Sequence, residues 1–388
     1  MQRGFRVRSS QAYTVALYAA FTLTGFGQTL TGSILPMLSV HWSMHDARAG
    51  LLFAALFAGS AVGGLLTRTH FRATLVAGMA LVAVSAWGIS VAGPVTAFPL
   101  LFLYGMGNGS AMTSMSMIVG GRYTQRRGAA LSLLNFFWSA GATLCPAIMA
   151  RFLESFSLRS AFIGVGASYA LLLLLLLATS EEVAANAAPA NALQVRAAMR
   201  MVLFFALLAF LYVGIENTMG GWLSTYAVRI GVHDARHATA MATFFWGALL
   251  AGRGLSSAVL LMVPERSLFF ASLIAVGCGI AVVLAAHEPV ILAVGAMITG
   301  LALAPIFPLN LALFMSRAGE LSRAGMMLAI SGFGGSVLPW ATGFVSGRSG
   351  SLRVGLLVPG LALVVMLALA GIATLGPEAY LRRPHPAS

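Results

Sequence analysis

Apolar residues run in stretches of about 20 along the whole chain, and short links rich in arginine, histidine and small polar residues separate them. At 1.5 Å of rise per residue, a helix of that length crosses a hydrocarbon core roughly 30 Å thick. Twelve such stretches can be marked, at 12–39, 47–67, 73–92, 98–120, 128–150, 160–179, 200–228, 238–262, 267–286, 290–315, 324–346 and 354–375. They predict an all-α membrane protein of twelve transmembrane helices. Composition agrees, because 59% hydrophobic residues, 9% charged residues and a mean hydropathy of +0.90 leave no material for a water-soluble domain.

The formal net charge of +13 alone would suggest a nucleic-acid partner. Its placement argues otherwise, since every basic residue other than histidine is an arginine and nearly all stand at the ends of apolar stretches. With the N-terminus in the cytoplasm, fifteen arginines fall inside, Arg68 and Arg72 among them, and seven fall outside. This bias follows the positive-inside rule and predicts an inner (plasma) membrane protein with both termini cytoplasmic. The first stretch has no small-residue cleavage site and reads as a permanent helix. Cys145 and Cys278 fall within spans and read as small apolar residues, not a disulfide. No nucleic-acid partner is expected, and the chain reads as a monomer in the bilayer.

The chain also repeats itself. HDAR occurs at 45–48 and again at 233–236, each time just before an even-numbered span, an offset of 188 residues. At nearly that offset GFGQTLTG (25–32) aligns with GIENTMGG (214–221), and GATLCP (141–146) parallels GGSVLP (334–339). Residues 180–199, rich in alanine and polar residues, divide the two copies. The expected organisation is two pseudo-symmetric six-helix bundles, 1–179 and 200–388, joined by a cytoplasmic linker at 180–199. Parallel repeats of this kind, with a site at their interface, mark one class of secondary transporter.

Candidate chemistry is sparse. Glu216 is the one acid deep within a span, where a charge costs about 2.5–3.5 kcal/mol on insertion scales and so belongs to a cavity or a partner. Three roles are open to it: a proton or sodium site, a ligand for solute hydroxyls, or a counter-charge to Arg253 in the next span. Arg253 has a competing reading, snorkelling toward the cytoplasmic surface. Gln28, Asn108, Asn135, Asn217 and Asn310 are amides within spans, able both to donate to and to accept from a hydroxyl, or to glue helices together. Asn108 sits in GMGNGS, which reads first as a close-packing glycine stripe. Trp138, Trp222, Trp246 and Trp340 could stack on a sugar face or anchor the interface. Pro305 and Pro308 should break the tenth span, and Pro146 and Pro339 should kink the fifth and eleventh. The His41/His45 and His233/His237 pairs sit in equivalent loops beside Asp46 and Asp234, which read as helix-start residues; no metal site is expected. HExxH, GxSxG and GxxxxGK[ST] are all missing from the sequence, so neither an enzyme nor an ATP-driven pump is indicated, and no cofactor beyond a coupling proton or sodium ion.

With those residues in view, the chain resembles the major facilitator superfamily over essentially its full length. GGLLTRTHFR (63–72) is similar to the superfamily's G-x-x-x-D-R-x-G-x-R signature with Gly63, Arg68 and Arg72 in place, but Thr67 stands for the acid and His70 for the glycine. RGAALSLLN (127–135) resembles the start of the fifth helix of sugar porters, and this implies that Asn135 contacts sugar, with Glu216 and Asn217 at the places of the paired glutamines of helix 7. FFWGALLAGRGLS (244–256), GLALAPIFPLN (300–310) and GFGGSVLPWATG (332–343) look more narrowly like the fucose-galactose-glucose symporter and sodium-dependent glucose transporter branch. That branch's membrane acids in helices 1 and 4 are missing here, where Gly32, Ser110 and Met112 stand.

The resemblance implies a secondary transporter moving a small polar solute, a hexose, by alternating access. The substrate ligands it suggests are Gln28, Asn135, Trp138, Glu216, Asn217, Trp222, Trp246, Asn310 and Trp340, with Glu216 as coupling-ion site and Arg68, Arg72 and Arg253 as gating or structural charges. Two other readings stand beside it: a transporter of drug- or lipid-like amphiphiles, and an uncoupled sugar facilitator. A non-transporting membrane sensor would need a signalling domain that the sequence does not supply.

Overall fold

The computed structural model describes residues 2–123, 127–179, 195–260, 262–318 and 321–375. Among these, every regular element is a helix: α1 (Gln2–Ser33), α2 (Leu35–His41), α3 (Asp46–Leu66), α4 (Phe71–Ile89), α5 (Ala97–Arg122), α6 (Arg127–Phe152), α7 (Leu158–Thr179), α8 (Val195–Arg229), α9 (Ala235–Val259), α10 (Glu265–Ala285), α11 (Pro289–Leu303), α12 (Ile306–Ala318), α13 (Leu321–Ser349), α14 (Leu352–Gly355) and α15 (Leu357–Leu375). They correspond to the twelve expected spans, three of which are broken. The tenth divides into α11 and α12 at Pro305, as its prolines require. The first divides at Ile34, a break the hydropathy pattern did not signal. Its cause is Pro36, which cannot donate to the carbonyl of Gly32 and whose ring would clash with it. The last divides at Leu356. By contrast, α6 and α13 run on through Pro146 and Pro339.

Eight segments among the described residues are long and apolar enough to cross a membrane by length and composition. The four spans outside that set are α1, α5, α9 and α13, whose hydropathy is diluted by glycine, hydroxyl and amide residues. Dilution is what interior helices show, because in lipid close packing of small residues and polar contacts replaces the hydrophobic drive. The α3/α5 pair illustrates it: Gly59 and Gly63 lie against the carbonyls of Phe102 and Met106, and Gly105 and Gly109 against those of Leu56 and Ser60, with no room for a Cβ. GMGNGS is therefore part of a close-packed seam, as its glycines suggested.

The repeat in sequence is a repeat in contact. Gly141 of α6 presses on the backbone carbonyl of Thr22 in α1, and Gly334 of α13 presses in the same way on that of Phe210 in α8. In the first half α1 packs on α6 and α7, and α5 on α3 and α4; in the second, α8 packs on α13 and α15, and α11 on α9 and α10. The two sets meet along α3 with α13, α6 with α9 and α1 with α8. Of the linker expected at 180–199, residues 180–194 lie outside the described residues, and Val195 already begins α8.

The two HDAR copies do different work. In the second, Asp234 caps α9: it accepts from the backbone N–H and the Nε of Arg236 at 2.9 and 3.1 Å. Those two donors hold its carboxyl below the usual carboxylate range. In the first, Asp46 is more than the helix-start residue expected. It is buried, accepts from Arg229 at the end of α8 at 2.9 Å, and accepts from Ser346 on α13 at 2.6 Å. This ties α3 to both second-half helices. Nearby, Gly50 packs on Trp340 and Gly343, and Gly347 on Ala47. The HDAR end of the interface is thus closed by an ion pair and by backbone contacts.

At the opposite end, the departures from the superfamily signature have local explanations. Thr67 turns its hydroxyl back onto the carbonyl of Gly63 at 2.8 Å and is buried, so it closes its own helix where an acid would carry charge. His70 adopts φ +52°, ψ +44°, the left-handed conformation that glycine takes without strain. Arg68 is exposed and reaches the carbonyl of Leu65 at 3.4 Å, and Arg72 is exposed at the start of α4.

Two outcomes follow. His70→Gly should raise stability by up to about 1 kcal/mol by relieving the left-handed cost, read as a higher melting temperature in detergent; an unchanged or lower value would show that the conformation is unstrained. Asp46→Asn removes the charge that Arg229 pairs with. Spin labels placed across the α3/α13 interface at the HDAR end should then report longer or broader distances, and an unaltered distribution would mean that the glycine contacts alone hold the end shut.

Candidate functional site

Halfway along α8, Glu216 is 4% exposed. Burial of a carboxylate away from water is tolerable when charge and hydrogen bonds compensate it, and here they do. Arg253 Nη2 donates to Glu216 Oε1 at 2.9 Å, and Tyr212, one turn earlier on the same face of α8, donates its hydroxyl to the same oxygen at 3.0 Å. The guanidinium does not snorkel. Its side chain is 11% exposed and reaches into the protein. Counted from the turn joining the helices, Glu216 lies 13 residues along α8 and Arg253 lies 18 along α9. The offset is about 7 Å at 1.5 Å per residue, a distance an extended arginine spans.

Arg253 has a second set of partners in the other half. Nη1 donates to the hydroxyl of Ser139 on α6, and the guanidinium carbon lies 5.7 Å from the ring centroid of Trp138. A cation at that distance from an indole gains further stabilisation. Trp138 packs edge-on against Trp246 of α9, centroids 5.8 Å apart, and the Trp246 indole lies over Gly220 of α8, where a Cβ would have no space. Tyr212 also packs at a tilt on Phe307 of α12, ring centroids 5.4 Å apart. One cluster therefore joins α6 to α8, α9 and α12 around a single buried ion pair.

Several polar atoms on these helices are buried and unpartnered among the described residues: Trp138 Nε1 and Trp246 Nε1 in the cluster, and Asn310 Oδ1 further along α12. Asn310 donates its Nδ2 to the carbonyl of Phe205 at 3.1 Å, which holds the amide in place on α12. Buried donors and acceptors left open are costly unless something fills them, and a polyhydroxylated solute supplies both kinds of group.

A second polar group surrounds Gln28. Helices α1 and α8 cross at Gly32 and Gly221, where a Cβ on Gly32 would lie 2.7 Å from the Gly221 Cα. One turn before that crossing, on the same helix faces, stand Gln28 and Asn217, the pair the repeat aligned. Both are buried. Asn217 returns its Nδ2 to the carbonyl of Val213 at 2.8 Å, while Gln28 Oε1 accepts from Asn108 on α5 at 2.5 Å. Asn135 lies one turn before Ser139 on α6 and, unlike Ser139, is exposed; its Nδ2 bonds the carbonyl of Leu131 at 2.9 Å.

Not every candidate joins these groups. Trp222 is fully buried, donates to the carbonyl of Pro339 at 3.0 Å and packs at 5.7 Å on Phe53, so its ring is taken up in the contact between α3, α8 and α13. Trp340 is exposed beside Phe344 at the HDAR end. Tyr212, Ser139 and Phe307 are not among the candidates the sequence offers. Tyr212 had a signal, four residues before the one deep acid. Ser139 had none, since a serine within a span is common packing material.

These elements define a class: a many-helix membrane transporter in two related halves with a charged cluster buried at their interface. The Major Facilitator Superfamily model matches residues 17–330, and the chain belongs to that superfamily. Its relatives are transporters, not enzymes. The chain is 24% identical to the glucose/mannose transporter GlcP of Bacillus subtilis (strain 168), over 92% of each sequence. Its fold is similar to FucP in the outward conformation, with a TM-score of 0.64 at 19% identity over 94% of this chain and 100% of that one. It is also similar to a bacterial homologue of the human lysosomal transporter Spinster in an inward-facing, occupied conformation, at TM-score 0.70 and 16% identity over 95% and 97%.

The ion pair makes a stability statement that can be checked. Removing one partner of a buried pair strands the other charge and typically costs about 3–5 kcal/mol, whereas replacing both is often near neutral. Arg253→Met should therefore lower the melting temperature sharply, and Arg253→Met combined with Glu216→Gln should recover most of the loss. Equal losses in the single and double variants would show that the two side chains are not energetically coupled.

Proposed function

We propose that this superfamily member moves a hexose-like polyol across the membrane by alternating access, coupled to a proton through Glu216. The observation that carries this is the position of Arg253, whose guanidinium is shared between Glu216 and Tyr212 in one half and Ser139 and Trp138 in the other. A change of charge on Glu216 changes that division directly. Once the carboxyl is protonated, its attraction for Arg253 falls and the guanidinium is left to the partners on α6. A proton suits the site better than sodium, because a guanidinium 2.9 Å from the carboxylate repels a second cation while a proton neutralises the acid outright.

The sugar assignment rests on the chemistry of the cluster and on the relatives. Amides on α1, α6, α8 and α12 and the unpartnered indole N–H groups of an edge-packed tryptophan pair suit hydroxyls better than a flat apolar drug. The glucose/mannose transporter GlcP and the fucose:proton symporter FucP supply the same reading by similarity. With the arginine-rich end in the cytoplasm, the HDAR end is the outer one and this conformation is closed outward, with Asn135 on the inward path. Residues 1–179 and 200–388 are then the two moving bundles.

Purified protein in liposomes tests this. Glu216→Gln keeps the shape of the side chain and removes its titration. It should retain glucose exchange across the membrane and lose accumulation driven by a pH gradient. Asn135→Ala and Asn217→Ala should each weaken glucose binding several-fold, one hydrogen bond being worth about 0.5–1.5 kcal/mol. A Gln variant that still concentrates glucose with unaltered pH dependence would overturn the coupling role; a dependence on sodium instead would overturn the proton.

A further inference from the structure

We infer that Asn108 and Tyr169 form a relay that fixes the amide of Gln28 as a hydrogen-bond donor, so that the first half of the site selects a solute group able to accept. The inference rests on the sugar reading for its substrate, but its geometry stands alone. Asn108 is fully buried on α5, and all of its polar contacts are accounted for. Its Nδ2 lies 3.2 Å from the backbone carbonyl of Thr24 and 2.5 Å from Gln28 Oε1, and its Oδ1 lies 2.8 Å from the Tyr169 hydroxyl on α7. A weaker sulfur contact to Met112 at 3.9 Å completes the set.

The orientation of this amide follows from the one partner that has no choice. A backbone carbonyl can only accept, so the group 3.2 Å from Thr24 O must be the NH2 of Asn108. Flipping Asn108 would set its Oδ1 against the Thr24 oxygen. With Nδ2 so fixed, its second hydrogen meets Gln28, and the atom of Gln28 that receives it must be Oε1. The Tyr169 hydroxyl supplies a proton to Asn108 Oδ1 from the other side, and the Leu23 carbonyl 3.1 Å away shares it.

The consequence lies at the far end of Gln28. An amide in solution can present either its oxygen or its nitrogen to a ligand. Here the oxygen is turned toward Asn108, and Nε2, with two N–H groups, has no partner among the described residues. The space that the relay needs is kept by Gly27, where a Cβ would come within 2.7 Å of the Tyr169 hydroxyl and closer still to that of Tyr104. Gln28 therefore presents its two donors away from Asn108, on the face of α1 that lies one turn from the crossing with α8. Across that crossing, Asn217 has spent one of its own N–H groups on Val213. The two amides are equivalent in the repeat and unlike in what they present.

Asn108 and Tyr169 are positioning residues, and a double-variant cycle separates that role from a merely structural one. The measurement is binding of D-glucose and its monodeoxy and monodeoxyfluoro analogues to purified protein. At the hydroxyl that meets Gln28, fluorine keeps an acceptor and hydrogen keeps none. The wild-type protein should bind the fluoro analogue several-fold more tightly than the deoxy analogue at that one position. Asn108→Leu should weaken glucose binding by about three- to tenfold, the worth of one or two hydrogen bonds, and erase the fluoro preference. In a Gln28→Leu background the same change should cost no further binding. Tyr169→Phe, a gentler variant that keeps the ring packing, should act in the same direction and serves if Asn108→Leu fails to fold. A full effect of Asn108→Leu in the Gln28→Leu background would overturn the relay. A second readout uses no sugar: in nanodiscs, the side-chain amide resonance of 15N-labelled Gln28, assigned by its loss in Gln28→Leu, should shift in Tyr169→Phe. A wild-type protein that binds none of the sugars would overturn the functional reading while that shift upheld the relay, and an unmoved resonance would overturn the relay whatever binds.

Discussion

A carboxylate within the membrane cannot stand alone, and the demand Glu216 makes for compensation organises the centre of this protein. Its counter-charge comes from α9, its hydrogen bond from Tyr212 on its own helix, and the same guanidinium is held from α6. Three helices are thus brought to one point by electrostatics where hydrophobic burial gives no preference, since lipid is as apolar as the helix faces themselves. One arginine satisfies two halves of the molecule. Holding it costs desolvation, which is reason enough to expect the pair to have a use beyond stability.

The rest of the interface is built so that this point can matter. At the HDAR end the halves touch backbone to backbone, at Gly32 with Gly221 and along Gly50, Gly343 and Gly347, and Asp46 adds an ion pair and a serine hydrogen bond across them. Short-range contacts of this kind are either made or absent. They give the interface two arrangements more readily than a continuum, which is the condition for a small charge change to move a large body. At the α6 and α9 contact, indole and guanidinium take the place of glycine, and the packing passes through groups that can exchange partners.

Much of this was written in the chain. Twelve spans, the repeat and its offset, the break at Pro305 and the isolation of Glu216 all follow from periodicity and composition, because a membrane helix leaves a long unambiguous signal. The GFGQTLTG and GIENTMGG match turned out to mark a physical crossing, with its two last glycines in contact. What could not be read was side-chain reach. Arg253 read equally well as the counter-charge to Glu216 or as snorkelling to the cytoplasmic surface, because hydropathy gives no register between antiparallel helices. Ser139, Tyr169 and Phe307 carried no mark, being ordinary residues made significant by neighbours from distant helices. Nor did the two HDAR copies reveal their difference, since identical tetrapeptides face unequal surroundings.

That inequality is the more general point. Two halves that repeat one another in sequence share their packing, as Gly141 on Thr22 and Gly334 on Phe210 show, yet their polar groups differ. The first half holds a neutral network, Gln28 with Asn108 and Tyr169, in which each amide is locked by its partners. The second holds the charge, Glu216 with Arg253 and Tyr212. A neutral, oriented network changes little with pH or membrane potential and suits the recognition of a solute. A buried ion pair responds to both and suits coupling. Under the function proposed above, such a division would keep the oriented amides of the first half insensitive to the driving ion while Glu216 responds to it, and Arg253, touching Ser139 across the interface, would be the point through which a change of charge in the second half reaches the first.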